Sequence, residues 1–259
     1  MFKSRNIPEA DPIVQNPDKA EVDRAWEEIR TYELNPLHLE SNRLVSASRE
    51  NPASVAFDVL RTRLLHALKS RGWSRVAITS PTKGCGKTFV AANLAFSIAH
   101  KPSTRVVLMD LDLRLPNLAP TLGIRDAGNI AQALHGTVPM NEHLLRIAPN
   151  LAVGLNKASA QDPAELLQEP DTARALDEMR AALQPDVVIY DLPPALLCDD
   201  VLAFLPQVDG VLLVADGHST RAKEVAACER LFKDQTELLG VVLNRAEDSE
   251  TDRYGYYGN

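Results

Sequence analysis

The run Val76-Ala77-Ile78-Thr79-Ser80-Pro81-Thr82-Lys83-Gly84-Cys85-Gly86-Lys87-Thr88 limits what this chain can fold into more than any other stretch. It begins as a short apolar segment, passes through a loop with two glycines, and ends where Lys87 opens an apolar stretch at helical spacing. A loop between a strand and a helix N-terminus is the setting of a phosphate-binding P-loop. Gly84 and Gly86 let backbone N–H groups close around phosphate oxygens, and the helix presents its positive end. Lys87 reaches the β and γ phosphates, and the Thr88 hydroxyl is placed for Mg²⁺. Lys83, Gly84, Cys85, Gly86, Lys87 and Thr88 thus form a candidate nucleotide cradle, with ATP and Mg²⁺ as the implied ligands. The full G-x-x-x-x-G-K-[ST] pattern would carry glycine at position 81, where Pro81 stands.

Short apolar runs alternate with helical stretches on both sides of this loop, which predicts an α/β fold: P-loop NTPase-like, doubly wound, with a mainly parallel sheet and helices on both faces. Strands are expected over 75–79, 105–110, 151–155, 186–191, 210–215 and 240–243. Helices are expected over 54–70, 87–99, 163–168, 172–183, 199–205 and 221–232. Runs such as Val211-Leu212-Leu213-Val214 are apolar throughout, as in strands covered on both faces. Residues 1–50 are rich in Pro, Asn, Glu and Asp and read as a polar, partly disordered arm. They carry one short helix from Glu21 to about Tyr32, with Val22, Trp26 and Ile29 on one side. The main domain is expected over 51–247, and residues 248–259 as a flexible tail.

Two further strand ends carry carboxylates: Asp110-Leu111-Asp112-Leu113-Arg114 and Tyr190-Asp191-Leu192-Pro193-Pro194. Ligands of doubly wound sheets sit beyond the carboxyl ends of the strands, so all three aspartates point to the P-loop edge. Asp191 suits a Mg²⁺ ligand, direct or through water, while Asp110 and Asp112 supply a base or a supporting carboxylate. Strand-end aspartates also serve as helix N-caps and turn residues.

The 28 basic and 35 acidic side chains give a formal net charge of −7, which argues against a broad nucleic-acid footprint. Cys85, Cys198 and Cys228 are odd in number and far apart, unlike a disulfide framework, and fit a reducing cytoplasm. No apolar run approaches the roughly 20 residues that span a bilayer, so a membrane role would need a partner. Cys85 lies near Lys83, Lys87 and a helix N-terminus, a setting that activates a thiol; a tolerated small residue is the plainer reading.

With these three motifs in this order, the sequence resembles the bacterial tyrosine autokinases of capsule and exopolysaccharide synthesis, within the wider group of deviant P-loop ATPases. The resemblance covers about residues 50–247 and includes Asp110-Leu111-Asp112-Leu113-Arg114-Leu115-Pro116, Asp162-Pro163-Ala164-Glu165-Leu166-Leu167 and Gly240-Val241-Val242-Leu243-Asn244. It implies a base toward a tyrosine hydroxyl at Asp110, metal and P-loop support at Asp112, and adenine reading by Asn244. It implies phosphoacceptors at Tyr254, Tyr256 and Tyr257, three of the five tyrosines in the chain. It further implies a homo-oligomer, a membrane-embedded activator protein of the polysaccharide chain-length type, and a cytoplasmic chain recruited to the inner face of the membrane.

The sequence also departs from its relatives. Partitioning ATPases place a signature lysine where Thr82 stands, with Lys83 one position later. The kinases' subunit-contact motif E-x-x-R-x-x-R aligns with Val55, Asp58 and Arg61, so a single arginine of it survives. A partitioning or positioning ATPase, and a non-catalytic nucleotide-gated adaptor, are the competing readings.

Overall fold

The structure, a computed structural model, describes residues 17–48 and 54–246. Its strands are β1 (Arg75–Thr79), β2 (Val106–Asp110), β3 (Leu145–Ala148), β4 (Leu151–Gly154), β5 (Val187–Asp191), β6 (Gly210–Asp216) and β7 (Glu237–Asn244). Its α-helices are α1 (Lys19–Glu28), α2 (Pro36–Ser41), α3 (Ser54–Arg71), α4 (Lys87–Ala99), α5 (Leu118–Leu122), α6 (Ile130–Leu134), α7 (Met140–His143), α8 (Pro163–Gln168), α9 (Pro170–Leu183), α10 (Asp200–Phe204) and α11 (Ala222–Phe232). The strands form one seven-stranded sheet in the order β3-β4-β2-β5-β1-β6-β7.

Alternation along the strands divides the core between the two faces of the sheet. Val76 and Ile78 of β1, Val106 and Leu108 of β2, and Val187 and Ile189 of β5 pack into one cluster with Val90, Leu94 and Ile98 of α4. Their neighbours Ala77, Val107, Met109, Val188 and Tyr190 pack into the other, with Leu176 of α9 and Phe204 of α10. A period of two in the chain thus makes two apolar layers, and helices on both faces cover them. The parallel pairs β1 with β5, β1 with β6, β2 with β4, β2 with β5, and β6 with β7 bear out the expected doubly wound sheet. After β1 the chain crosses beyond β5 to β2, and after β5 it crosses beyond β1 to β6. That reversal brings the carboxyl ends of β1, β2 and β5 to one crevice.

Besides the short helices α2, α5, α6 and α7, which the expectation lacked, the fold differs from it in two places at the margins of the sheet and core. The segment set apart as a polar arm packs on the domain between residues 17 and 48. Val22, Trp26 and Ile29 join the α9 side of the core, and Trp26, 2% exposed, donates its indole N–H to the Leu183 carbonyl at 2.7 Å. A helix with one apolar stripe gains more by burying it than by remaining in solvent. The helix ends at Glu28, before the expected Tyr32, because the next residues pair with β3: Tyr32 N–H donates to Arg146 O at 2.9 Å, and Arg146 N–H to Arg30 O at 2.8 Å. The second difference is β3 itself, a short antiparallel strand absent from the expectation. Pro149 and Asn150 turn it into β4, and the Asn150 amide holds the turn by donating to the carbonyls of Ala99, Lys101 and Thr104. Pairing by residues 30–32 then covers an edge that would otherwise be open.

Candidate active site

The loop from β1 to α4 owes its shape to two left-handed glycines, Gly84 at φ +84° and Gly86 at φ +89°. A side chain at Gly86 would strike Asn244, whose amide nitrogen lies 2.2 Å from the position of an added Cβ. Position 81 makes no such demand. Pro81 is buried and its carbonyl accepts from Leu196 N–H at 3.3 Å, so this end of the loop is fastened to the turn after β5 and proline is tolerated there. Cys85 contributes its backbone alone. Its thiol is 1% exposed and donates inward to Thr82 O at 3.3 Å, so the activated surface thiol suggested by its neighbours in sequence does not form.

Lys87 leaves the first turn of α4 and meets Asp112 Oδ2 at 2.7 Å and Asp191 Oδ1 at 3.6 Å. Burial alone would lower its pKa, but Asp191 and Asp112 outweigh it and hold the ammonium above its ordinary value. Asp110 and Asp191 are register partners on β2 and β5, and both are 0% exposed. Burial, reinforced by the Asp191 charge, pushes Asp110 up to about 8, against the pull of the Leu118 N–H and of Lys87. Burial also raises Asp191, against Lys87.

Their surroundings differ sharply. Asp110 Oδ2 accepts from Asn117 N–H at 3.1 Å and Leu118 N–H at 2.8 Å, and Oδ1 from Asp112 N–H at 3.3 Å. Neither oxygen of Asp191 has a hydrogen-bond partner among the described residues. Asp112 lies between these extremes, with Oδ1 accepting from Leu115 N–H at 3.1 Å and Oδ2 on Lys87.

A cleft of about 640 Å³ opens over the loop, lined by Lys83, Gly84, Gly86, Lys87, Thr88 and Asp112, with Arg114, Leu197, Cys198 and Arg245 at its sides. Sequence reasoning missed two of these. Arg114 forks onto the fully buried Asp200 at the head of α10, with Nη2 2.7 Å and Nε 2.9 Å from the carboxylate. Arg245 bridges Gly84 O at 3.0 Å and Asp216 Oδ2 at 2.7 Å. The available signals were the Asp199-Asp200 pair opening a helix and a basic residue just past the last strand.

Asn244, expected to read adenine, donates its side-chain amide to Cys85 O at 2.9 Å and so braces the loop. Asp58, Arg61 and Ser97, which include two positions of the expected subunit contact, bond within the chain. Arg61 donates to Asp58 Oδ1 at 2.7 Å and to Ser97 O at 3.0 Å, and Ser97 donates to Asp58 at 2.7 Å. Val55 stays 61% exposed. Tyr254, Tyr256 and Tyr257 lie outside the described residues.

These residues fit a Mg²⁺–nucleotide. The left-handed glycines free backbone donors for phosphates, and Asp191 presents a carboxylate without a hydrogen-bond partner among the described residues. Among the described residues no group of three His, Cys, Asp or Glu side chains could hold a metal unaided. Mg²⁺ takes one or two carboxylates plus substrate phosphates.

Residues 73–251 match the ParA family model, described as NUBPL iron-transfer P-loop NTPase. The chain belongs to this family of P-loop NTPases, a class built to bind nucleotide. Its likeness within that class is to bacterial tyrosine kinases, in agreement with the motif-based resemblance. It is 32% identical over 209 residues to the putative tyrosine-protein kinase EpsB of Ralstonia nicotianae, covering 80% of this chain and 27% of that protein. It is 29% identical over 222 residues to tyrosine-protein kinase YwqD of Bacillus subtilis, covering 85% of this chain and 92% of that protein. The kinase domain of Escherichia coli tyrosine kinase ETK superposes with a TM-score of 0.69 at 28% identity, over 81% of this chain and 83% of that one. The chain thus spans about a quarter of the length of EpsB and nearly all of YwqD. No helix among the described residues is long and apolar enough to cross a membrane.

Proposed function

We propose that the chain is an ATP-dependent protein-tyrosine kinase that regulates capsule or exopolysaccharide synthesis and export, with Tyr254, Tyr256 and Tyr257 as phosphoacceptors. The observation that carries this reading is the convergence of Lys87, Asp112 and Asp191 at the P-loop cleft, with the Asp191 oxygens unsatisfied. Thr88 and Asp191 would hold Mg²⁺, which when bound neutralises charge on the phosphate oxygens. Lys87 and the loop amides stabilise the transferred group. Lys87 is paired with Asp112, and phosphates in the cleft would compete for the lysine and release the carboxylate. Asp112 lines the cleft, so in this reading it is the carboxylate offered to the acceptor hydroxyl, while Asp110 pins the turn that presents it. The tyrosine oxygen bonds to the γ phosphorus, the bond to the β–γ bridging oxygen breaks, the phenolic proton passes to the carboxylate, and ADP leaves.

The wider assignment draws on the resemblance: a homo-oligomer, a membrane-embedded activator, and a cytoplasmic chain recruited to the membrane. Incubation with γ-labelled ATP and Mg²⁺, together with the activator, tests the core of it. Tyrosine label that disappears in the Tyr254→Phe, Tyr256→Phe, Tyr257→Phe chain is expected. Phosphate release without protein label would instead identify a positioning-type ATPase, and nucleotide binding alone an adaptor.

A further inference from the structure

Beyond the nucleotide cleft lies a second pocket of about 550 Å³, between α2 and the turns around α5, for which the kinase reading has no use. Arg125 and Lys157 stand at its walls, both exposed, and neither has an ion-pair partner among the described residues. Asn156 also lines it. This side chain is 2% exposed, and both polar atoms of its amide lack a hydrogen-bond partner among the described residues. A buried amide left unpaired costs about 1–3 kcal/mol, so it calls for a ligand or water. A shallow trough joins the two cavities. It shares Pro116 and Lys157 with the second pocket and Arg114, Leu115 and Asn117 with the nucleotide cleft.

A side-chain amide that can both donate and accept matches a peptide group, and two unpaired cations match carboxylates. The chain contains such a peptide. Residues 247–253 read Glu247-Asp248-Ser249-Glu250-Thr251-Asp252-Arg253, four acids and one base, directly before Tyr254. Docked in the same chain, this stretch would have to leave Ala246 beside the loop and bring Tyr254 back to the cleft. An extended chain of that length reaches about 12 Å out and back. A second copy has no such tether.

We propose that this pocket and trough form an exosite for the acidic stretch 247–253 of a second copy, holding Tyr254, Tyr256 and Tyr257 over the nucleotide cleft. The proposal rests on the kinase reading, yet binding tests it without chemistry. A fluorescent peptide of residues 246–259 is titrated by anisotropy against the full chain without nucleotide, and tyrosine label is measured in parallel. The chain carrying Arg125→Glu and Lys157→Glu should bind the peptide at least tenfold more weakly. A peptide with lysine in place of the four acids should bind the unaltered chain poorly and recover on the charge-reversed one. Equal binding by both chains would overturn the exosite even if tyrosine label forms. The charge-swap pattern without any tyrosine label would leave the exosite standing and remove the kinase reading.

Discussion

The turns that follow β2 and β5 begin from paired aspartates and use them in opposite ways. After β2, Asp110 is consumed by structure, accepting from the backbone N–H groups of Asp112, Asn117 and Leu118. After β5, Asp191 is equally buried, and its oxygens meet no donor at hydrogen-bond distance among the described residues, although Thr88 and Lys87 beside it favour its charged form. The first arrangement stabilises a loop. The second keeps a carboxylate in a low-dielectric site with Lys87 as counter-charge, a state that burial opposes and a bound cation relieves. Paired positions in one sheet are therefore used differently: one carboxylate is spent on backbone donors, and in the proposed reading the other is kept for the metal.

The largest expected effect tests that reserve. Asp191→Asn should lower phosphoryl transfer by about 10³-fold, the scale of losing a principal electrostatic group. The melting temperature should stay nearly level, because relief of a buried charge is offset by the loss of one of the two counter-charges to Lys87. A clear fall in melting temperature, measured by calorimetry, would show that Asp191 is structural and would erase the contrast with Asp110.

Asp110→Ala should behave in reverse. Three backbone donors lose their acceptor, at a cost of about 3 kcal/mol, which for a chain of this size lowers the melting temperature by about 6–12 °C. The same residue gives a pH signature. Its folded pKa, about 8, lies above the ordinary carboxylate value of 3.8, so the native state binds the extra proton. Its contribution to stability is therefore full at acid pH and is lost as pH rises through about 8. In metal-free buffer the melting temperature should fall between pH 5 and pH 8.5, and fall less in Asp110→Asn. Parallel curves for the two chains would contradict the assignment.

How these turns read in the sequence follows the same division. The strand ends, the loop and the three aspartates were legible because they lie in contiguous motifs with fixed periodicity. Which aspartate is left without backbone donors was not, since Asp110 is claimed by amides seven and eight residues downstream. The N-terminal helix showed its apolar stripe, but the groove that receives Trp26 is built by α9, some 150 residues later, so a polar composition suggested an arm. β3 is too short, at four residues, to show alternation, and its partner is the only sign of it. Arg114 was visible inside a motif, yet its partner Asp200 comes from the far side of the cleft.

That pair joins the two turns, so it measures how independent they are. Arg114→Ala leaves the Asp200 carboxylate buried without its fork of donors. Because Arg114 is itself 45% exposed, solvent reaches the site and the cost is set at about 2 kcal/mol rather than the larger values of fully buried pairs. Denaturant melts should show that loss, with a modest rise in the KM for acceptor peptide as the cleft wall loosens. If Arg114→Ala and Asp110→Ala add in the double variant, the two turns are separate units; a smaller combined loss means that Asp110 acts through Arg114.

The smallest expected effect lies on β7, where Asn244 supports the loop from outside both turns. Its amide donates to Cys85 O, and its own oxygen accepts from Arg245 N–H at 3.0 Å. Both groups are engaged, and each would have to break a bond before reading a base. Asn244→Ala removes one neutral hydrogen bond to the loop, worth about 1 kcal/mol, or roughly a fivefold loss of affinity. Calorimetric titration with ATP and with inorganic tripolyphosphate separates the two roles. Loop support predicts the same loss for both, because the damage is to the phosphate cradle; adenine reading predicts a loss for ATP and none for tripolyphosphate. An ATP-specific loss would mean that the Cys85 bond is given up on nucleotide binding, and that β7, like β5, keeps a polar group in reserve for its ligand.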